Sequence, residues 1–192
     1  MDYKSYIGLI TIALAFLSYG LYFRNIFRHK TKPHAVSWLV WAILNGVTFL
    51  TQRSNGAGAG GWITGFSACV ALVIFVLSIN YGEKNITKLD WYCVVGALIS
   101  LSFWYLNDHS VDEVLFASTT FVIGFVPTFR KSFGKPRQET AVTFGLNGFK
   151  FLLALAALNK LNASTVIYPV TVVVMNFSFV IFLLIRRGRI AR

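Results

Sequence analysis

The sequence predicts an all-α membrane protein of seven transmembrane helices, built as two parallel three-helix bundles joined by a linker helix. Three observations predict it. Of the 192 residues, 56% are hydrophobic and only 13% charged, where soluble domains carry about 25% charged residues. Apolar runs close to the roughly 20 residues that cross a bilayer occur seven times. Lys and Arg gather at alternate ends of those runs, and short motifs of the first three runs recur in the last three. The same composition excludes a soluble globule, and 18 Phe, 8 Tyr and 5 Trp exclude a disordered chain.

The first run, 6–23, is longer than a signal-peptide core of about 7 to 15 residues. No small-x-small cleavage site follows, so it reads as a mature helix. The second, 35–51, follows a basic loop ending in Lys32-Pro33-His34. Before the third, 61–80, stands Gly56-Ala-Gly-Ala-Gly-Gly61, which lacks the Lys and Ser/Thr of a phosphate loop and reads as a flexible outer connection. The fourth, 91–106, is the shortest, with Asp90 as its expected N-cap. Asp112 and Glu113 open the fifth, 111–129, where negative charge suits the helix dipole. The sixth and seventh, 140–158 and 165–185, are separated by a polar turn through Asn162-Ala163-Ser164. Cys69 and Cys93 lie inside apolar runs and read as small packing residues.

Short loops rich in Lys and Arg stay cytoplasmic. One side carries Lys4, Arg53 and Lys160, against fourteen Lys and Arg on the other, with Lys150 left inside a helix. The N-terminus is therefore expected outside and the C-terminus in the cytoplasm. The net charge of +11 is explained by this topology, and no basic groove-binding element points to nucleic acid.

Lys32-Pro33 and Lys135-Pro136 lie 103 residues apart, and Asn45-Gly46-Val-Thr-Phe49 and Asn147-Gly148-Phe-Lys-Phe151 lie 102 apart. A one-residue shift aligns both pairs. Two triplets of helices in the same orientation need one extra crossing between them, which is a known transporter plan. The expected divisions are 1–81 for the first triplet, 82–106 for the linker loop and fourth helix, and 107–192 for the second triplet with its basic tail.

With this pattern of repeats and topology the chain resembles the SWEET and PQ-loop superfamily, which includes sugar transporters, lysosomal amino-acid exporters and the KDEL receptor. It is also similar in architecture to bacterial nicotinamide riboside transporters, whose tryptophan pairs Trp38-Leu-Val-Trp41 resembles. The Pro-Gln dipeptide that names the PQ-loop group is absent; Pro127-Thr128 and Tyr22-Phe23 stand near its places. Stretches 32–34, 82–87 and 127–132 resemble segments of bacterial membrane proteins of unassigned function. The resemblance implies a SWEET-like fold and a bacterial inner-membrane location.

Polar groups are costly in hydrocarbon, so those inside helices point to a cavity. Lys150, about ten residues into the sixth run, shares a stripe with Asn147 and Ala154. It reads either as an ammonium facing a solute or as one satisfied by helix carbonyls or reaching an interface. His34, Trp38, Trp41, Asn45 and Thr48 fall on one helical face. Trp41 and Asn45 suit a cavity wall; Trp38 suits either that wall or the interfacial aromatic belt, and His34 suits the loop. Asn147, the repeat partner of Asn45, is expected to face it across a pseudo-two-fold axis. Asn176 in the seventh run is a further site candidate or a helix-bridging amide. Pro127 and Pro169 interrupt helices and are candidate hinges.

All seven acidic residues fall at helix ends or in loops, so no intramembrane carboxylate is expected to bind a coupling ion. No nucleophile–base pair, metal-ligand cluster or paired carboxylates stand out, and no enzyme, metal or cofactor is expected. The expected function is a carrier for a small polar or anionic solute by facilitated alternating access, with Lys150, Asn147, Asn45, Trp41, Trp38 and Asn176 binding it. A receptor or interaction protein of the same fold is the alternative. The expected partners are a small-molecule solute and membrane lipid, and a homo-oligomer is compatible with the sequence.

Overall fold

The structure is a computed structural model that describes residues 3–106 and 110–190. Asp2, Asn107, Asp108 and Arg192, and the side chain of Glu113, are outside that description. The described chain is all helical: α1 (Tyr3–Phe27), α2 (Ala35–Ser54), α3 (Trp62–Tyr81), α4 (Lys88–Leu106), α5 (Ser110–Gly134), α6 (Ala141–Ala156) and α7 (Ala163–Ile190). One helix coincides with each apolar run. Several overrun their runs at charged ends, because backbone hydrogen bonding continues where hydrophobicity stops; α5 and α7 carry Lys131, Arg187 and Arg189 in their last turns.

Residues 3–27, 35–54, 58–81 and 163–189 are long and apolar enough to cross a membrane. The chain is an integral membrane protein. Its surface agrees: Leu9, Ile10, Phe16 and Leu17 on α1, and Leu72, Val76 and Ile79 on α3, are exposed, while Thr11, Ser18, Asn45, Thr48, Ser67 and Asn176 are buried. Apolar groups outside and polar groups inside suit a hydrocarbon solvent.

α1 packs against α3 and α6, α2 against α3 and α5, and α7 against α5 and α6, which closes a ring of six helices. α4 lies against α2 and α5. α2 is the most enclosed span, two-thirds buried where α1 and α7 are one-third buried. That enclosure places the tryptophans and amide of α2 at the centre of the molecule.

Several connections differ from expectation. Residues 56–61 form a folded plug rather than a flexible linker. Gly56 and Gly58 take positive φ values of 76° and 62°, which glycine adopts without strain. The Gly60 amide donates to the Ala157 carbonyl at 3.1 Å, and the Asn159 amide to the Ala57 carbonyl at 3.0 Å. A Cβ on Gly60 would stand 2.8 Å from the Ala154 carbonyl. Asp90 is the third residue of α4, not its N-cap: its carboxylate accepts the Thr87 amide at 2.6 Å, the reverse arm of a capping box. Asn162 does cap α7, accepting the Thr165 amide at 3.0 Å while Thr165 Oγ1 accepts the Asn162 amide at 3.1 Å.

Both intrahelical prolines are buried, and α5 and α7 continue through them. A proline cannot bond the carbonyl four residues earlier. For Pro127 that carbonyl is Ile123, which accepts the Cys93 thiol of α4 at 3.5 Å. For Pro169 it is Thr165, which accepts Gln52 Nε2 of α2 at 3.2 Å. Each freed acceptor is met from another helix.

Candidate functional site

A cleft with about 430 Å³ of empty space, part of it open to the surroundings, lies inside the ring of helices. Its free space is pinched to room for on the order of two water molecules. Of the six residues the sequence singles out, Trp38, Trp41, Asn45, Asn147 and Asn176 line it. The walls are aromatic. Trp41 lies 4.7 Å from Phe125 and 5.1 Å from Trp38, centroid to centroid, and Trp38 lies 5.1 Å from Tyr22. Trp38 is thereby a buried wall residue rather than a member of an interfacial belt. Steps of three and four along α2 set Trp38, Trp41 and Asn45 on the face turned inward.

The polar lining is made of amides and hydroxyls. Asn147 Nδ2 donates to Asn176 Oδ1 at 3.0 Å, and Asn176 Nδ2 to the Val172 carbonyl at 2.8 Å. Asn45 Nδ2 donates to the Trp41 carbonyl at 2.7 Å, which leaves Asn45 Oδ1 and Trp41 Nε1 buried without partners. Asn45 and Asn147 both line the cleft, and the amide pair that bonds directly is Asn147 with Asn176, where α6 and α7 pack. A free acceptor and a free donor one turn apart are what a neutral polar ligand would satisfy.

Lys150 is fully buried but does not line the cleft. Its Nζ has no hydrogen-bond partner, so neither helix carbonyls nor an interface hold it. It sits 3.8 Å from the centroid of the Tyr19 ring. Tyr19 does line the cleft, and its hydroxyl donates to Ser67 Oγ at 3.3 Å and to Asn147 Oδ1 at 3.5 Å. Sequence reasoning passes over Tyr19, since an aromatic residue in an apolar helix carries no local signal of its role.

The end of the bundle that bears the basic loops holds ion pairs with buried carboxylates. Glu139 is buried and pairs with Lys131, and its Oε2 accepts the Tyr22 hydroxyl at 3.0 Å. Lys131 Nζ also donates to the Lys32 carbonyl at 2.6 Å. Asp90, fully buried, accepts Arg130 Nη2 at 3.0 Å and lies 3.4 Å from His34 Nε2. Among the described residues Glu83 and Glu139 lie between helices and Asp90 and Asp112 near the starts of α4 and α5, as expected, yet Asp90 and Glu139 are buried. Tertiary packing covers Asp90 and Glu139, which sequence position alone does not reveal.

Burial pushes the His34 pKa down; Asp90 opposes this, Lys131 and Arg130 reinforce it, and the net direction is downward. Burial pushes the Glu83 carboxyl up, but its bond from Lys135 and those from the amides of Asn85 and Lys84 outweigh it and hold the carboxyl below the usual range. At the opposite end Lys4 Nζ donates to the Leu158 carbonyl at 2.6 Å beside the Gly56–Gly61 plug. Contacts of α1 with the loops flanking α6 thus tie the two groups of helices together at both ends of the bundle. Among the described residues no three His, Cys, Asp or Glu gather where a metal ion would need them.

No family model, curated protein or solved structure matches this chain.

Proposed function

We propose that the chain is a membrane carrier for a small polar solute, not an enzyme, in which α1–α3 and α5–α7 rock about the central cleft by facilitated alternating access. The observation that carries this reading is the aromatic, amide-lined cleft between those two groups of helices, which are tied together at both ends of the bundle. The packing supports a repeat. Exchanging α1, α2 and α3 for α5, α6 and α7 leaves the ring of neighbours unchanged. The two Lys-Pro loops are also tied alike: the Pro33 carbonyl accepts the Glu83 amide just after α3 at 2.9 Å, and the Pro136 carbonyl accepts Arg187 Nε near the end of α7 at 3.0 Å. With α4 as linker this is the 3 + 1 + 3 plan of the SWEET-like architecture, with the basic end in the cytoplasm.

No charged side chain lines the cleft, which favours uncharged polar solutes in this arrangement. An anionic solute would need Lys150. The test is a thermal-shift screen of polar metabolites on purified protein, followed by uptake of each stabilising compound into liposomes. Selective flux is expected. A compound that binds tightly and never crosses would overturn transport and favour a receptor.

A further inference from the structure

We infer that Tyr19 is the charge filter of the cleft: its ring screens the Lys150 ammonium from the solute space, and Lys150 acts on a solute only when that ring moves. The inference rests on the carrier reading and adds a specificity-determining residue to it. Lys150 has zero exposure and, among the described residues, no hydrogen-bond partner, and its Nζ stands 3.8 Å from the Tyr19 ring. A ring face attracts a cation through its quadrupole, so the contact offsets part of the cost of burying the ammonium. Tyr19 lines the cleft while Lys150 does not.

The tether on the ring is weak. The Tyr19 hydroxyl reaches Ser67 and Asn147 at 3.3 and 3.5 Å, both beyond the long end of ordinary O–H···O bonds. Its two acceptors lie on α3 and α6, which belong to opposite halves of the ring, so a rocking motion pulls them apart and frees the ring. The repeat partner of Lys150 is Thr48, an uncharged residue of α2. The cation therefore stands on one side of the cleft only, and a single side chain suffices to cover it.

Fluorescence quenching with a neutral and an anionic probe tests the filter without knowledge of the solute. Replacing Trp62, Trp91 and Trp104 by Phe leaves Trp38 and Trp41, both in the cleft wall, as the emitting residues. Acrylamide is expected to quench them and iodide to quench them little. Tyr19→Ala is expected to raise iodide quenching about tenfold, as an uncovered charge in a cleft concentrates counter-ions. Adding Lys150→Met is expected to abolish that rise, and Tyr19→Phe, which keeps the ring, to leave iodide excluded. Strong iodide quenching of the parent protein, no rise in Tyr19→Ala, or a rise that survives Lys150→Met each overturns the filter while leaving the carrier reading intact. Failure of acrylamide as well would show a cleft closed to solution and sink the carrier reading too. If Tyr19→Ala does not fold, reductive methylation of the parent protein read by mass spectrometry decides. Lys150 modified far more slowly than Lys160 supports the screen, and equal rates overturn it.

Discussion

His34 shows how a single residue ties the polar end of the molecule to pH. It precedes α2, is fully buried, and has neither ring nitrogen hydrogen-bonded, with Asp90 at 3.4 Å. Its pKa is lowered in the folded protein, by burial first. An unfolded histidine takes up its proton below about pH 6.5, while the folded one resists it to lower pH. The unfolded chain therefore binds more protons in that window, and stability falls with acidification. The contribution of His34 is complete above the unfolded value and is lost as pH descends through the folded one. Glu83 acts in the same sense but only at pH below the ordinary carboxylate range. The expected result is a thermal midpoint that drops between pH 7.5 and 5.5 and a shallower drop in His34→Gln. An unchanged slope in that variant would remove the assignment. Residues of this kind are where sequence reading reached its limit. Trp38, Trp41 and Asn45 were legible because steps of three and four on one helix fix a common face. Tyr19, Asp90 and Glu139 were not, since their roles arise largely from contacts with residues 40 to 128 positions away.

The helices themselves were legible because a bilayer demands apolar runs of nearly fixed length, and each predicted run holds one helix. Their mutual packing was not, because lipid-facing and helix-facing positions are both apolar. The prolines illustrate the gap: sequence marks Pro127 and Pro169 as candidate hinges, whereas the structure shows their freed carbonyls bonded across helices by Cys93 and Gln52. An unpaired buried carbonyl costs on the order of 1–3 kcal/mol, and measured bonds inside membranes sit near the low end of such values. Gln52→Leu is therefore expected to destabilise the protein by about 1 kcal/mol. In Pro169→Ala the restored amide can bond the Thr165 carbonyl within α7, so adding Gln52→Leu to it should cost less than Gln52→Leu does alone. The double-mutant cycle, read from unfolding midpoints, checks this; additive losses would mean that Gln52 serves the fold through packing alone. Cys93→Ala should cost less, since a thiol is a weak donor.

At the scale of the whole molecule, the charge asymmetry and the ring of six helices make a joint demand on α6. The basic residues Arg130, Lys131, Lys135 and Arg137 precede it, and Lys160 follows it. If the basic end is cytoplasmic, α6 must cross the membrane between them. Yet α6 has only 16 residues, a rise of about 24 Å against a hydrocarbon core of about 30 Å. The structure supplies the missing length from its neighbours. At one end α6 meets Glu139 and the Lys-Pro loop, and at the other Ala157 and Leu158 dock on the Gly56–Gly61 plug and Lys4, so polar backbone at both ends is buried in protein rather than lipid. Short spans are tolerated where protein covers their ends. The measurement is labelling by an impermeant maleimide in a Cys69→Ala, Cys93→Ala background, with one cysteine introduced at a time. Lys160→Cys is expected to react in intact cells and Arg137→Cys only after permeabilisation. The reverse pattern would invert the orientation, and reaction of both from one side would make α6 a re-entrant helix and break the correspondence between α2 and α6 on which the two-bundle carrier depends.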